Sequence, residues 1–374
     1  MNKRLILSIN GGSSSIKGAL FDVDGDVRPL VRETMDSPGE AAAQRLLDRI
    51  FAHLDGRTLT GIGHRIVHGG PAYREPVVVN AGILEDLRRL IEFAPNHLPD
   101  EIALIESCAR RYASVPQVAC FDTAFHRTMP EVAARLPIPS VYDARGIRRY
   151  GFHGLSYAYL VEELQRVAGA DSAHGRLILA HLGNGSSLAA VHHARSVDTT
   201  MAFTPMGGVV MSTRSGDLDP GVVTYLTRAA GLSAAEVEDV LSKASGLLGV
   251  SGTTGDMRSL LARSAQDAAA QLAVEMYAYS VRKAIGGFAA VLGGIDTLVF
   301  SGGIGEHAPS IRARICEGLA CLGIEIDDER NEAGDGVISA AGARAIVRVI
   351  ATDEEVMIAR ATSRALGSRQ THAG

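Results

Sequence analysis

The stretch Leu5–Phe21, LILSINGGSSSIKGALF, returns in altered form at Leu177–Val191, LILAHLGNGSSLAAV. Leu5/Leu177, Ile6/Ile178, Leu7/Leu179, Gly11/Gly183, Ser14/Ser186 and Ser15/Ser187 coincide at one constant offset, the 172 residues that separate Leu5 from Leu177. A flexible linker drifts freely. An apolar β-rich run, a Gly/Ser turn and a second apolar run that recur with their glycines in place mark a duplicated strand–turn–strand unit. A chain of 374 residues has room for two such halves, since about 100–200 residues make a domain.

The rest of the chain agrees with an α/β protein. Strands are expected at Leu5–Ile9, Ile16–Phe21, Ile62–Val67, Gln117–Phe121, Leu177–Leu182, Ser187–Val191, Thr297–Ser301 and Val347–Ala351. Between them, helical spacing of apolar residues marks Asp100–Tyr112 (with Pro99 as its start signal), Asp267–Leu292, about Pro309 to Leu322, and a last helix from Asp353. Alternating strands and helices imply a largely parallel sheet in each half. A cleft between two lobes is then the expected place for a ligand.

Bulk properties exclude several classes. A net charge of −5 and the lack of a basic block argue against a dominant nucleic-acid surface. No window reaches the ~18 apolar residues of a membrane span. The apolar run after Met1–Arg4 is only Leu5–Ile9, short of the ~7–15 residues of a signal peptide. Cys108, Cys120, Cys316 and Cys321 form no C-x-x-C pair, which suits reduced thiols in a cytoplasmic protein.

The loops carry the chemistry. Asn10–Ser15 offers successive amides on small residues with Lys17 close behind, the makings of a concave anion site. Gly183–Ser187 offers the same without the lysine, and a third turn, Gly302–Gly305, follows the strand Thr297–Ser301. Other phosphate-binding grammars are missing: there is no G-x-x-x-x-G-K-[ST], no dinucleotide G-x-G-x-x-G opening a helix, and no protein-kinase catalytic loop. Arg65 in GHRIVHGG and Arg214 in MSTRSGDLDPG stand among small residues, as arginines that neutralise a transferring phosphoryl group would. Asp122 follows a buried strand, His153 lies between Phe152 and Gly154, and Glu354 opens a helix. Each of these also has an ordinary structural reading, as a salt-bridge, core or capping residue.

Taken in order, INGGSSSIK, GHRIVHGG, FDTAFHRTMP, RRYGFHG, HLGNGSSLAAV, FTPMGGVVMSTRSGDLDP, SGLLGVSGTTGDMR, GGIGEH and TDEEVMIAR resemble the motifs of the acetate kinase family, over residues 9 to about 360. The resemblance implies two duplicated ribonuclease-H-like, actin-like ATPase domains. They are placed at 1–145 with 356–374, and at 146–355. It implies reversible transfer of the ATP γ-phosphoryl group to acetate with Mg²⁺, and a homodimer. Matched motif by motif, Asp122, His153 and Arg214 stand at catalytic positions. Arg65, Val67, Asn96, Phe152 and Pro205 stand at substrate positions. Ser13, Ser15, Lys17, His181, Leu182, Gly183, Asn184, Gly185, Asp256, Met257, Arg258, Gly303, Ile304, Gly305, Glu306 and His307 match the nucleotide segments, and Asn10 and Glu354 the metal-associated positions. A carboxylate acceptor is ionised at neutral pH, so Asp122 is expected to orient an arginine or a metal-bound water, not to remove a proton.

The chain also departs from that pattern. Asn96 stands where the family has an apolar acyl-pocket residue, Leu98 replaces an asparagine, and His307 and Asp353 each stand where asparagine is usual. Asn96 leaves two readings open, a substrate with a polar tail or a loop shift that turns Asn96 to solvent, and the alternative within enzymes is a kinase for another short-chain or polar carboxylate: propionate, butyrate or a hydroxy acid. A non-metabolic actin-like nucleotide-binding protein is the alternative from another class.

Overall fold

The computed structural model describes residues 4–12, 15–36, 39–54, 57–334 and 336–370. It divides into two compact units. One gathers Met1–Arg127, Phe152–Tyr159 and Asp353–Gly374, the other Thr128–Gly151 and Leu160–Thr352.

In the first unit, strands β1 (Leu5–Gly11), β2 (Ile16–Asp22), β3 (Arg28–Met35), β4 (Leu59–Ile66), β5 (Val77–Val78) and β6 (Gln117–Phe121) form one sheet in the order β3-β2-β1-β4-β6-β5. The second unit repeats it. Strands β7 (Leu177–Leu182), β8 (Ser186–His192), β9 (Arg195–Thr199), β10 (Thr297–Ser301), β11 (Gly336–Val337) and β12 (Ile346–Val349) run β11-β12-β10-β7-β8-β9, the same order read from the other edge. The duplication seen in the first turn thus extends to every strand of both sheets.

The sheets are mixed, which corrects the expectation of largely parallel ones. Tight connections force β1–β2–β3 and β7–β8–β9 into antiparallel ribbons, whereas β1–β4–β6 and β7–β10–β12, joined through longer crossovers, run parallel. Parallel strands bring their C-terminal ends to one edge of a sheet, the edge where α/β proteins bind ligands. In the first unit that edge carries Asn10, Arg65 and Asp122. In the second it carries His181–Gly185, Gly302 and Thr352.

Period-two burial fixes the layers. Leu5, Leu7 and Ile9 pack with Leu46, Ile50 and Leu104 of the helices Glu40–Phe51 and Leu98–Arg111. Ile6 packs on the other face, in a cluster with Met357 and Ile358 of the helix Glu354–Gln370. The expected helix at Asp267–Leu292 spans Ala268–Leu292, capped by Asp267 and ended by Gly293 in the left-handed region. Its Ala273, Tyr277, Val281 and Phe288 line the second core at helical spacing. The helix expected at 309–322 stops at Cys316, because Gly318 takes φ 81° and turns the chain. Pro99 lies inside the first turn of its helix, where its missing N–H costs nothing. Among the described residues no helix is long and apolar enough to cross a membrane.

Candidate active site

On the first unit, Arg65 lies one residue before the end of β4 and Asp122 directly after β6. Neighbouring parallel strands set them side by side, Arg65 opposite Cys120. Arg65 Nε and Nη2 both donate to Asp122 Oδ2, at 2.9 and 2.6 Å, and Nη1 donates to the Gly11 carbonyl at 2.9 Å. Asp122 is fully buried and Arg65 nearly so. Burial weakens the guanidinium's hold on its proton, but Asp122, Glu354 and Glu101 outweigh that and raise its pKa. Burial pushes the Asp122 carboxyl up while Arg65 pulls it down. A buried pair with this geometry aims a fixed cation; as a stabilising contact it is worth little.

The segment Phe152–Leu155 closes over Asp122. His153 has φ 58°, a conformation a bulky residue rarely adopts. A Cβ at Gly154 would stand 2.0 Å from the Asp122 carbonyl oxygen, so only glycine lets the chain pass. Phe152 is buried, with its ring 5.6 Å from that of His68, and Val67 beside it is buried too. Asn96 is exposed.

Asn10 Nδ2 donates to Glu354 Oε2 at 2.8 Å and to Glu355 Oε1 at 3.2 Å, which gathers two carboxylates on one amide. Burial raises the Glu355 pKa, and Lys17, exposed on β2, opposes it. Asp353 caps the terminal helix through the Val356 amide and pairs with Arg32, so its difference from asparagine serves local structure. Gly12 donates to the Ser15 carbonyl at 2.8 Å across the turn; Ser13 lies outside the described residues.

On the second unit, His181 and the buried Leu182 end β7, and Gly183–Gly185 turns back beneath Ser186, whose hydroxyl donates to the Gly183 carbonyl at 2.9 Å. Ser212 ties this turn to the Arg214 loop, its amide donating to the Asn184 carbonyl at 3.2 Å. Arg214 Nη1 donates to the Pro205 carbonyl at 3.1 Å. Asp256 caps the helix Met257–Arg263 through Ser259, whose hydrogen bonds lower its pKa. Arg258 beside it is exposed, whereas the Met257 side chain packs into the core.

The turn expected at Gly302–Gly305 is instead a helix, Gly302–His307, carrying Gly303, Ile304 and Gly305. Glu306 makes it one: its Oε1 accepts from the Gly302 amide at 2.8 Å and from Thr352 N at 3.3 Å. His307 is exposed at its end.

Sequence reading missed two buried residues here. Arg312 is fully buried and holds this short helix from behind. Its Nη1 donates to the Gly305 and Glu306 carbonyls, both at 2.9 Å, and its Nε to Asn331 Oδ1 at 2.8 Å, while burial lowers its pKa. Arg312→Met strands those acceptors. It is expected to cost about 2–3 kcal/mol, read as a lower urea midpoint, and to raise KM for the nucleotide more than it lowers kcat.

Glu101, on the first turn of Leu98–Arg111, is the other. Burial pushes its carboxyl up to about 8, against the pull of Arg65. Its folded pKa therefore exceeds the unfolded one, so between ~4.5 and 8 the native state holds a proton that the unfolded chain has lost. Stability should fall by about 1.4 kcal/mol per pH unit across that window. Glu101→Gln should flatten the alkaline side of a Tm-against-pH curve. His64, lowered to about 4 by burial, acts in the opposite sense: its contribution is lost as pH falls from ~6.5 toward 4.

Comparison with known proteins identifies the family. The acetokinase family model matches residues 34–360. An acetate kinase of Rhodopseudomonas palustris is 42% identical over 387 aligned positions, covering 95% of this chain and 97% of that one. One of Clostridium botulinum is 44% identical over 394, covering 96% and 98%. Among solved structures, a propionate kinase of Francisella tularensis superposes with a TM-score of 0.87 at 36% identity, covering 96% of this chain and 99% of that one. The Porphyromonas gingivalis acetate kinase gives 0.84 at 35%, covering 97% and 100%. With a family model over most of its length and relatives matched nearly end to end, this chain belongs to the acetokinase family.

Proposed function

We propose that the protein transfers the γ-phosphoryl group of ATP reversibly to acetate, giving acetyl phosphate and ADP. The observation that carries this reading is Arg65, mostly buried, always charged, and fixed by Asp122 Oδ2 and the Gly11 carbonyl at the C-terminal edge of the first sheet. Such a cation suits a small anionic acceptor, and a filament-forming or purely nucleotide-binding protein has no need of it.

A carboxylate oxygen attacks the γ-phosphorus and the bond to the bridging oxygen breaks, its electron pair leaving with ADP. No proton moves, because the acid is already ionised. The task left to the protein is to position two anions and offset their repulsion. Arg65 binds the acceptor carboxylate, and Asp122 orients Arg65. Arg214 and His153 stabilise the charge of the transferring group. Val67, Phe152 and Pro205 bound the acyl group. His181–Gly185, Lys17 and Ser15 bind the phosphates, and Asp256–Arg258 with Gly303–His307 the adenosine side.

Mg²⁺ fits the donors near Asn10. Oxygen ligands suit it, and in phosphotransfer sites it is held by one or two carboxylates and the substrate phosphates. Among the described residues no group of three acidic, His or Cys side chains forms a cage, which that mode does not require. Asn10 and Glu354 would hold the ion, and when bound it would neutralise phosphate charge. Cytoplasmic location and a homodimer belong to the same proposal.

The test runs the reaction backwards. Acetyl phosphate and MgADP should yield ATP, detected by luciferase. No ATP from that mixture, with nucleotide binding intact, would overturn the assignment.

A further inference from the structure

A phenol reaches the Gly183–Gly185 turn of the second unit from behind. Tyr277 lies within the helix Ala268–Leu292, and its hydroxyl oxygen stands 2.9 Å from that of Ser186; both side chains are fully buried. Ser186 opens β8 and closes the turn. Its hydroxyl donates to the Gly183 carbonyl at 2.9 Å and accepts from the Gly183 amide at 3.2 Å. A serine hydroxyl has one proton to give. The Gly183 carbonyl takes it, so Tyr277 is the donor of the pair. Burial raises the phenol's pKa, and the group keeps its proton at neutral pH.

The same helix also holds the Arg214 loop. Ser280, three residues on and facing the same way, donates to the Tyr277 carbonyl at 2.8 Å and accepts from the Val210 amide at 3.2 Å. Ser212 of that loop closes the circuit, its hydroxyl donating to Asn184 Oδ1 at 3.3 Å. The helix is a stiff post, packed in the core through Ala273, Val274 and Val281. The turn is the opposite. Two of its three residues are glycines, which lose more freedom than any other residue when fixed, so its shape depends on what ties it.

We propose that Tyr277 is a positioning residue for the nucleotide's phosphates: it fixes Ser186, and through Ser186 the turn that receives them. The inference rests on the phosphate-binding role given to this turn above and adds the side chain that sets it. Tyr277 itself touches no ligand. A phosphate held by backbone amides depends on where those amides point, and a turn released from one of its ties aims them less well. The adenosine side is held by other segments, Asp256–Arg258 and Gly303–His307, and does not depend on this hydroxyl. Loss of the hydroxyl therefore has a signature: affinity falls for the phosphates and not for the nucleoside.

The test measures equilibrium binding of MgADP and of adenosine by calorimetry. Tyr277→Phe keeps the ring and removes one oxygen. It should weaken MgADP roughly tenfold and change adenosine by less than about twofold. Ser186→Ala should weaken MgADP at least as much, and Tyr277→Phe added to it should cost nothing further, because Tyr277 acts through Ser186. A merely structural role would lower the urea midpoint and move both ligands together, or neither. Wild-type affinity for MgADP in Tyr277→Phe overturns the inference, as does an equal loss for adenosine or a further tenfold loss on top of Ser186→Ala. Wild-type protein that binds MgADP no better than adenosine would overturn it too, since the turn would then hold no phosphate. The phosphotransfer reading fails separately: wild-type protein that makes no ATP from acetyl phosphate, while MgADP binding follows the predicted pattern, sinks that reading and supports this one.

Discussion

Arg65→Ala should lower kcat/KM for the carboxylate by about 10³-fold or more, by analogy with catalytic arginines in other phosphoryl transfers. The loss has two sources. The acceptor loses its cation at the moment two anions must meet. Asp122, fully buried, is also left with an uncompensated charge, and breaking a buried pair from one side costs about 3–5 kcal/mol. The second cost can be recognised by its pH dependence. Without the pull of Arg65, burial and the nearby charge of Glu354 raise the folded pKa of Asp122 further above the unfolded one. The variant should therefore be most damaged at neutral and alkaline pH and recover stability in mild acid, as the carboxyl takes up a proton. Arg65→Lys should rescue little activity. An ammonium cannot reproduce three hydrogen bonds divided between Asp122 Oδ2 and the Gly11 carbonyl. Steady-state kinetics and melting curves at pH 5 and 8 separate the two losses. An Arg65→Ala protein with near wild-type kcat/KM would remove Arg65 from the mechanism.

Gly246→Ala should cost about 10²-fold in kcat although residue 246 touches no proposed substrate. Gly246 has φ 62°, and a Cβ there would stand 2.2 Å from the Met211 carbonyl oxygen and 2.6 Å from that of Arg214. The Arg214 loop is fastened at that point. Leu247 N donates to Met211 O at 2.8 Å, Leu248 N to Ser212 O at 2.9 Å, and Ser245 N to Thr213 O at 3.0 Å. Neither backbone can yield without moving Arg214, and a shift of about 1 Å in a charge-stabilising group is enough for a loss of that size. KM for the carboxylate should change much less than kcat, because Arg65 is untouched. An unchanged kcat would mean that the loop absorbs the methyl group without moving the arginine.

The repeat between Leu5 and Leu177 carried most of the fold: two β-hairpins that share an apolar run, a turn glycine and two serines imply two sheets of one topology, and every strand then finds its counterpart. Strand direction was less legible, because apolar alternation alone does not tell a hairpin ribbon from a parallel crossover. The helix Gly302–His307 was hidden by its glycines. Its signal, Glu306 four residues after Gly302, is a capping side chain that reaches backward. Arg312 escaped notice for another reason. Its acceptors are the Asn331 side chain and the carbonyls of Gly305, Glu306 and Asn331, groups that no charge pattern in the sequence announces. Glu101 reads as a solvent-facing charge on an amphipathic helix, yet the Val67 segment lies against that first turn and buries it. Asn96, the most conspicuous departure, is exposed.

The most direct measurement is a hydroxylamine trap of the product formed from MgATP and acetate. Acyl hydroxamate should accumulate in step with ADP, one for one, and neither should form from Arg65→Ala at a comparable rate. ADP and free phosphate appearing without hydroxamate, at a rate indifferent to acetate, would contradict carboxylate phosphorylation and leave an ATPase.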